Sequence, residues 1–165
     1  ASTSFEDGLH GWSPSSGATV SRIAFGDAFH GDYVMNVEPN PSSGWSGAFS
    51  SNDPSGAANV TPGKTYTFIA WIYIPPGEDI GGQMQFHQRV QNSTHCCHYY
   101  STIDSATSFD NSFPHGEWFR RYYVVEIDTI ENPVARLSVL SQGSTGADGP
   151  VYVDEFQVLP DNYIN

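Results

Sequence analysis

Residues 65–77 read Thr-Tyr-Thr-Phe-Ile-Ala-Trp-Ile-Tyr-Ile-Pro-Pro-Gly. Tyr66, Phe68, Ala70, Ile72 and Ile74 fall on every second position, the period of a strand with one buried face. Pro75-Pro76-Gly77 ends the run, because proline has no amide to give to a ladder. The alternation continues outward from this stretch. Met84, Phe86 and Val90 share a face on which Gln88 is the polar exception, while Gln83, Gln85, His87 and Arg89 occupy the other. Residues 97–103 and 118–127 read as further strands. In 134–142, Ala135, Leu137 and Val139 look inward, and Arg136, Ser138, Leu140 and Gln142 look the other way. Residues 150–158 read as the last strand, and 18–24 and 33–37 as short early ones. The loosest part is 36–63, rich in Pro, Ser, Gly and Asn. No window of eleven or more residues carries a helical stripe, so many short strands between turn clusters predict an all-β fold, an antiparallel β-sandwich.

The chain has 165 residues, about one domain on a prior of ~100–200 residues each, and a single domain over 1–165 is expected. Six basic residues against 18 acidic ones leave a formal charge of −12. Such a surface is a poor match for nucleic-acid phosphates or an anionic membrane, and neither is expected as a partner. No segment approaches the ~18–20 apolar residues of a membrane span. The chain opens at Ala1 with no signal-peptide pattern, which reads as a mature or excised domain. An acidic, aromatic-rich, lysine-poor composition points to a secreted protein. Cys96 and Cys97 are adjacent, which leaves a vicinal disulfide, two free thiols or links to other chains all open. His95 and His98 flank them without the separated ligand pairs of a zinc site.

Several motifs together resemble those of carbohydrate-binding modules of families 4, 16 and 22. The start Ser4-Phe5-Glu6-Asp7-Gly8-Leu9-His10-Gly11-Trp12 resembles their opening strand. His30-Gly31-Asp32-Tyr33 resembles a short turn, Trp45-Ser46-Gly47-Ala48 a tryptophan loop, and 61–71 a central strand. Gly116-Glu117-Trp118 resembles the beginning of another strand, and Val151-Tyr152-Val153-Asp154-Glu155-Phe156 the closing one. The matches run in family order from residue 4 to 158. The resemblance implies a jelly-roll sandwich with a sugar-binding face, acting as a monomer linked to a catalytic domain. It also implies a structural Ca²⁺ held by the Ser4 carbonyl, the Glu6 carboxylate and Asp154, with backbone oxygens from the turn near His30 and Tyr33. Hard oxygen ligands of this kind suit calcium. His30 stands where some relatives carry an acid, which makes Asp32 a possible substitute.

Sugar rings have apolar C–H faces and polar edges, so a glycan site wants an aromatic ring to stack on and short-reach polar side chains around it. Trp45, between Gly44 and Gly47, is the leading candidate, and it matches the position where related modules stack a sugar. The plain alternative is a loop tryptophan folded onto the sheet. Tyr100 resembles a second stacking residue, facing outward if Tyr99 goes inward with Ile103. Gln83, Gln85, His87, Arg89, Arg136 and Gln142 form the polar set, since amides and guanidinium groups can pair with vicinal hydroxyls or a carboxylate. Here the plain alternative is a solvated sheet face. Trp12, Trp71 and Trp118 fall in scaffold motifs and are read as structural, although alternation sets Trp71 opposite Phe68 and Ile72.

The function expected is therefore non-catalytic binding of a polysaccharide, a β-linked glycan such as xylan or β-glucan or one containing uronate. The rival is a jelly-roll lyase acting on a uronic-acid polymer. Gln85-Phe86-His87 resembles one lyase strand, and Arg89, Arg136 and Tyr100 would complete it, but the other lyase motifs are missing. A glycosidase would need two facing carboxyl groups, and the acids here sit mostly in turns.

Overall fold

The computed structural model describes residues 2–50, 58–92, 104–127, 133–143 and 146–160. Within them the chain forms β1 (Ser2–Thr3), β2 (Ser13–Ser15), β3 (Thr19–Ala24), β4 (Tyr33–Glu38), β5 (Gly47–Phe49) and β6 (Ala58–Asn59). There follow β7 (Thr65–Tyr73), β8 (Met84–Asn92), β9 (Asp104–Phe109), β10 (Trp118–Glu126), β11 (Pro133–Ser141) and β12 (Val151–Pro160). The first sheet runs β10-β7-β12-β4-β3, with β1 added on β12; the second runs β2-β5-β11-β8-β9, with β6 added on β11. All these strand pairs are antiparallel. An all-β sandwich is the fold that the alternation predicts.

The core lies between the two sheets. Phe68, Ala70 and Ile72 of β7 and Val151, Val153, Phe156 and Val158 of β12 meet Met84 and Phe86 of β8 and Ala135, Leu137 and Val139 of β11. Phe156 is its aromatic centre. Trp12 stacks on it with centroids 4.3 Å apart, Phe5 meets it edge-on at 6.1 Å, and Phe86 approaches to 5.8 Å from the second sheet. Gln88 faces the same interior and is fully buried, as its place in the alternation requires. The last strands to be read from period two are the short ones. β5 and β6 lie inside the stretch 36–63 that looks loosest, because two or three residues are too few to show a period. Residues 97–103, read as a strand, lie outside the described residues; the strand beside β8 on the side away from β11 is β9.

The outer face of the first sheet is covered by the β3–β4 loop. Phe25 packs against Tyr73 and Tyr152 at 5.0 and 4.9 Å, and Phe29 stacks on Trp71 at 4.1 Å. The Trp118 indole donates to the Asp27 carbonyl at 2.6 Å. Trp12 is structural as expected, and Trp71 and Trp118 hold this loop down. Removing Phe156 would open a cavity among three rings and both sheets. Phe156→Ala is expected to cost about 3–5 kcal/mol, measured by urea unfolding, and Phe156→Leu clearly less; equal losses would count against a packing role.

Candidate functional site

Alternation along β8 and β11 sends Gln83, Gln85, His87, Arg136, Ser138, Leu140 and Gln142 to the face of the second sheet that looks away from the core. The ladder sets Leu140 opposite Gln85, Ser138 opposite His87 and Arg136 opposite Arg89. This is not the open surface that long polar side chains alone would suggest. Gln85 is only 5% exposed, and Ser138 and Leu140 are buried. Ser138 Oγ and His87 Nδ1 are hydrogen-bonded at 3.3 Å. Arg136 Nε donates to the Ser50 carbonyl at 3.1 Å, and its guanidinium lies 4.9 Å from the Phe49 ring. Arg136 is thus drawn sideways onto β5 and its flank. Arg89 is placed by its backbone alone. Tyr100, the expected second stacking ring, lies outside the described residues, and so do Cys96 and Cys97.

At one end of this face the register gathers a row across four strands. Gly47 pairs with Leu140, Ser141 with Met84, and Met84 with Phe109. Two steps beyond the Gly47–Leu140 pair, and one beyond Ser141, Met84 and Phe109, stand Trp45, Gln142, Gln83 and Asp110, side by side. The Gln142 amide donates to the Gln83 carbonyl at 2.9 Å, and the Trp45 amide to the Gly143 carbonyl at 3.4 Å. With strands ~4.8 Å apart, the row spans roughly 14 Å.

Trp45 is held in the left-handed region at φ 58°, a conformation that costs a non-glycine residue about 1–3 kcal/mol. Ser46 stabilises it from beneath. Its amide donates to Ser141 Oγ at 3.0 Å, its carbonyl accepts the Ser141 amide at 2.8 Å, and its hydroxyl accepts the Asn40 amide at 2.8 Å. The small residue is fully buried and the indole beside it is 53% exposed. Beside it, Gln142 Oε1 is shut off from solvent and accepts no hydrogen bond within the described protein. The arrangement offers a flat apolar ring next to amide donors and acceptors.

No protein-family model matches the chain, and no curated protein matches it. Solved structures do. The CBM22-1 xylan-binding domain of Paenibacillus barcinonensis Xyn10C superposes with a TM-score of 0.66 at 17% identity, over 97% of this chain and 92% of that one. The CBM22-2 xylan-binding domain of the same protein reaches 0.69 at 13% identity, over 97% and 98%. The fold is that of family 22 carbohydrate-binding modules. A third match, at a TM-score of 0.64 and 14% identity, is the Clostridium thermocellum endo-1,4-β-D-xylanase 10B CBM22-1–GH10 pair complexed with xylohexaose; all of this chain spans 29% of that longer one.

In this family 22 fold the predicted metal ligands lie at a corner outside the first sheet. Glu6 Oε1 accepts the amides of Asp32 and Tyr33, both at 3.0 Å. Asp154 Oδ2 accepts the His30 amide at 2.8 Å, and Oδ1 accepts the Glu155 amide at 2.9 Å. The two carboxylates therefore bracket the turn 30–33. Asp154 is fully buried, and that burial pushes its carboxyl up to about 6 despite the two amides. The His30 ring faces Glu155, with Nδ1 3.5 Å from Oε1. Among the described residues no three His, Cys, Asp or Glu side chains are grouped to hold a metal by themselves, so backbone carbonyls would have to complete a shell. The donor set fits a hard cation: carboxylate oxygens keep lone pairs after accepting amides, and a buried acid gains most from one.

Glu155 was not among the predicted ligands. Strict alternation would send it to the opposite face from Asp154, but a β-bulge between Asp154 and Gln157, with Glu155 at φ 50°, changes its aim. Phe49 was likewise hidden in a three-residue strand. Gly31 shows how tight the corner is. A Cβ there would lie 2.2 Å from the Glu6 carboxyl carbon, and its φ is +70°. Gly31→Ala is expected to destabilise by about 1–3 kcal/mol, and less in a Glu6→Ala background. A double-mutant cycle checks this, and strict additivity would show that the two do not meet.

Proposed function

We propose that this chain is a non-catalytic carbohydrate-binding module for a neutral β-linked glycan of the xylan class. The observation that carries the reading is the exposed Trp45 indole, fixed by buried Ser46 at the rim of a sunken polar face. Trp45 stacks a sugar ring; Gln83 and His87 hydrogen-bond its hydroxyls, with Gln85, Arg89, Arg136, Gln142 and Tyr100 retained as members of the same face. Family 22 structures of the same fold are described as xylan-binding, and one stands beside a GH10 module. By the same reading the chain is the secreted, monomeric partner of a linked catalytic domain, and it raises that domain's effective concentration on the polymer.

Two observations favour binding over catalysis. The described side chains on the β8 and β11 outer face include no carboxylate, so a paired-acid mechanism has no pair to use there. Among the described side chains, His87 is engaged with Ser138 and Arg136 with Ser50, so neither stands ready for a uronate. Trp45→Ala is expected to weaken binding to xylohexaose at least about tenfold while leaving the melting temperature within about 2 °C. Isothermal titration calorimetry and a thermal melt check both, and unchanged affinity would remove Trp45 from the site.

The proposal includes a structural Ca²⁺ at the Glu6–Asp154 corner, completed by carbonyls of Ser4, His30 and Tyr33. It would supply the positive charge that buried Asp154 and half-buried Glu6 gain from, and so lock the β3–β4 loop onto the first sheet. EDTA is expected to lower the melting temperature by several degrees, and added calcium to restore it. Asp154→Asn should abolish the response; a melt indifferent to both reagents would dismiss the metal.

A further inference from the structure

Beyond Gln83 the row does not end at the sheet. Gly82, Gln83, Asp110, Asn111 and Ser112 line a cleft of about 490 Å³ between the β7–β8 and β9–β10 loops. It is an open depression rather than an enclosed cavity, and its lining is amide, carboxylate, hydroxyl and glycine. Amide, carboxylate and hydroxyl groups set among glycine suit a ligand that is itself covered in hydroxyls. The walls are tied together. Asn111 Oδ1 accepts the Ile80 amide at 3.0 Å, and Asn111 Nδ2 donates to Asp79 Oδ1 at 2.6 Å. Asp79 Oδ1 also accepts the Gly81 amide at 2.9 Å. Gly81 admits no side chain, since a Cβ would lie 2.6 Å from the Gly146 carbonyl.

We propose that this cleft is a further sugar subsite, in which Asp110 accepts hydroxyl donors of a neutral residue and turns away a uronate. The proposal rests on the glycan-binding reading of the row and adds a selectivity that the reading alone does not contain. Asp110 Oδ1 accepts both the amide and the hydroxyl of Ser112, at 2.9 and 2.5 Å. Those two donors hold its carboxyl below the usual range and so favour its ionised form. An ionised carboxylate only accepts. It welcomes sugar hydroxyls and repels a second carboxylate, and like charges brought together are a recognised source of discrimination. The two ends of the row therefore differ in kind: stacking at Trp45, charge selection at Asp110.

The test uses the whole chain and two probes of equal backbone length: xylohexaose, and the same hexaose bearing one methylglucuronate. The wild type is expected to prefer the neutral probe by about tenfold or more, measured by calorimetry. Asp110→Asn should reduce that preference to about threefold or less, mainly by strengthening the acidic probe. Asp110→Ser is the second variant, should the first melt more than a few degrees lower. Unchanged rejection of the acidic probe in both variants would overturn the subsite while leaving Trp45-dependent xylohexaose binding in place. Binding of neither probe by the wild type would overturn the glycan reading itself, and the subsite with it.

Discussion

One irregular residue in β12 organises much of this molecule. In a regular strand Asp154 and Phe156 would share a face. The bulge at Glu155 breaks that rule, so Asp154 points out beside Trp71 while Phe156 turns into the core. The inward ring gathers Phe5, Trp12 and Phe86 and so joins the N-terminal segment to both sheets. The outward carboxylate takes the His30 amide and fixes the β3–β4 loop. Left-handed geometry at Glu155 is unfavourable for a non-glycine residue, and it persists because packing on one side and hydrogen bonds on the other both require it.

The second sheet solves a different problem. It must present polar groups outward without leaving them loose. Buried serines do this. Ser138 meets His87, Ser46 and Ser141 cross-link β5 to β11, and Ser50 receives the Leu137 amide on its hydroxyl and the Arg136 Nε on its carbonyl. A serine is small enough to sit beneath a strand and still has a donor and acceptors. The polar face is thereby held in place by hydrogen bonds within the protein itself.

Long alternating runs made the sandwich legible from residue order alone. Strands β7, β8, β10, β11 and β12 each carry nine or ten residues, enough for a period of two to show. The strands of two or three residues have no period to read, and β5, which carries Phe49, was missed for that reason. Of the candidate site, alternation sets Gln85 and His87 on one face with Arg136, and the β8–β11 register agrees with that, because side-chain direction in a strand is local. It could not reveal that Gln85 is nearly buried or that Arg136 leans onto Phe49, since depth and lateral contacts depend on neighbouring strands. Glu155 escaped because a bulge is invisible to a counting rule. The Asp110 cleft escaped because it belongs to two loops far apart in the chain, brought together by the β8–β9 ladder and by the hydrogen bonds of Asn111 to Ile80 and Asp79.

The pairing of β1 with β12 bears on how such a domain can be wired into a larger chain. Ser2 lies beside Gln157 and Thr3 beside Phe156, in opposite directions, so the path before Ser2 and the path after Gln157 leave the sheet toward the same pole. β12 begins at the opposite pole, with Tyr152 beside Tyr73. From there the loop after β7 leads to Gln83. The aromatic-to-acidic row thus stands at the far pole from both exits. β1 and β12 thus run in opposite senses at the pole away from Trp45 and Asp110, and the described ends of the chain leave that row uncrossed.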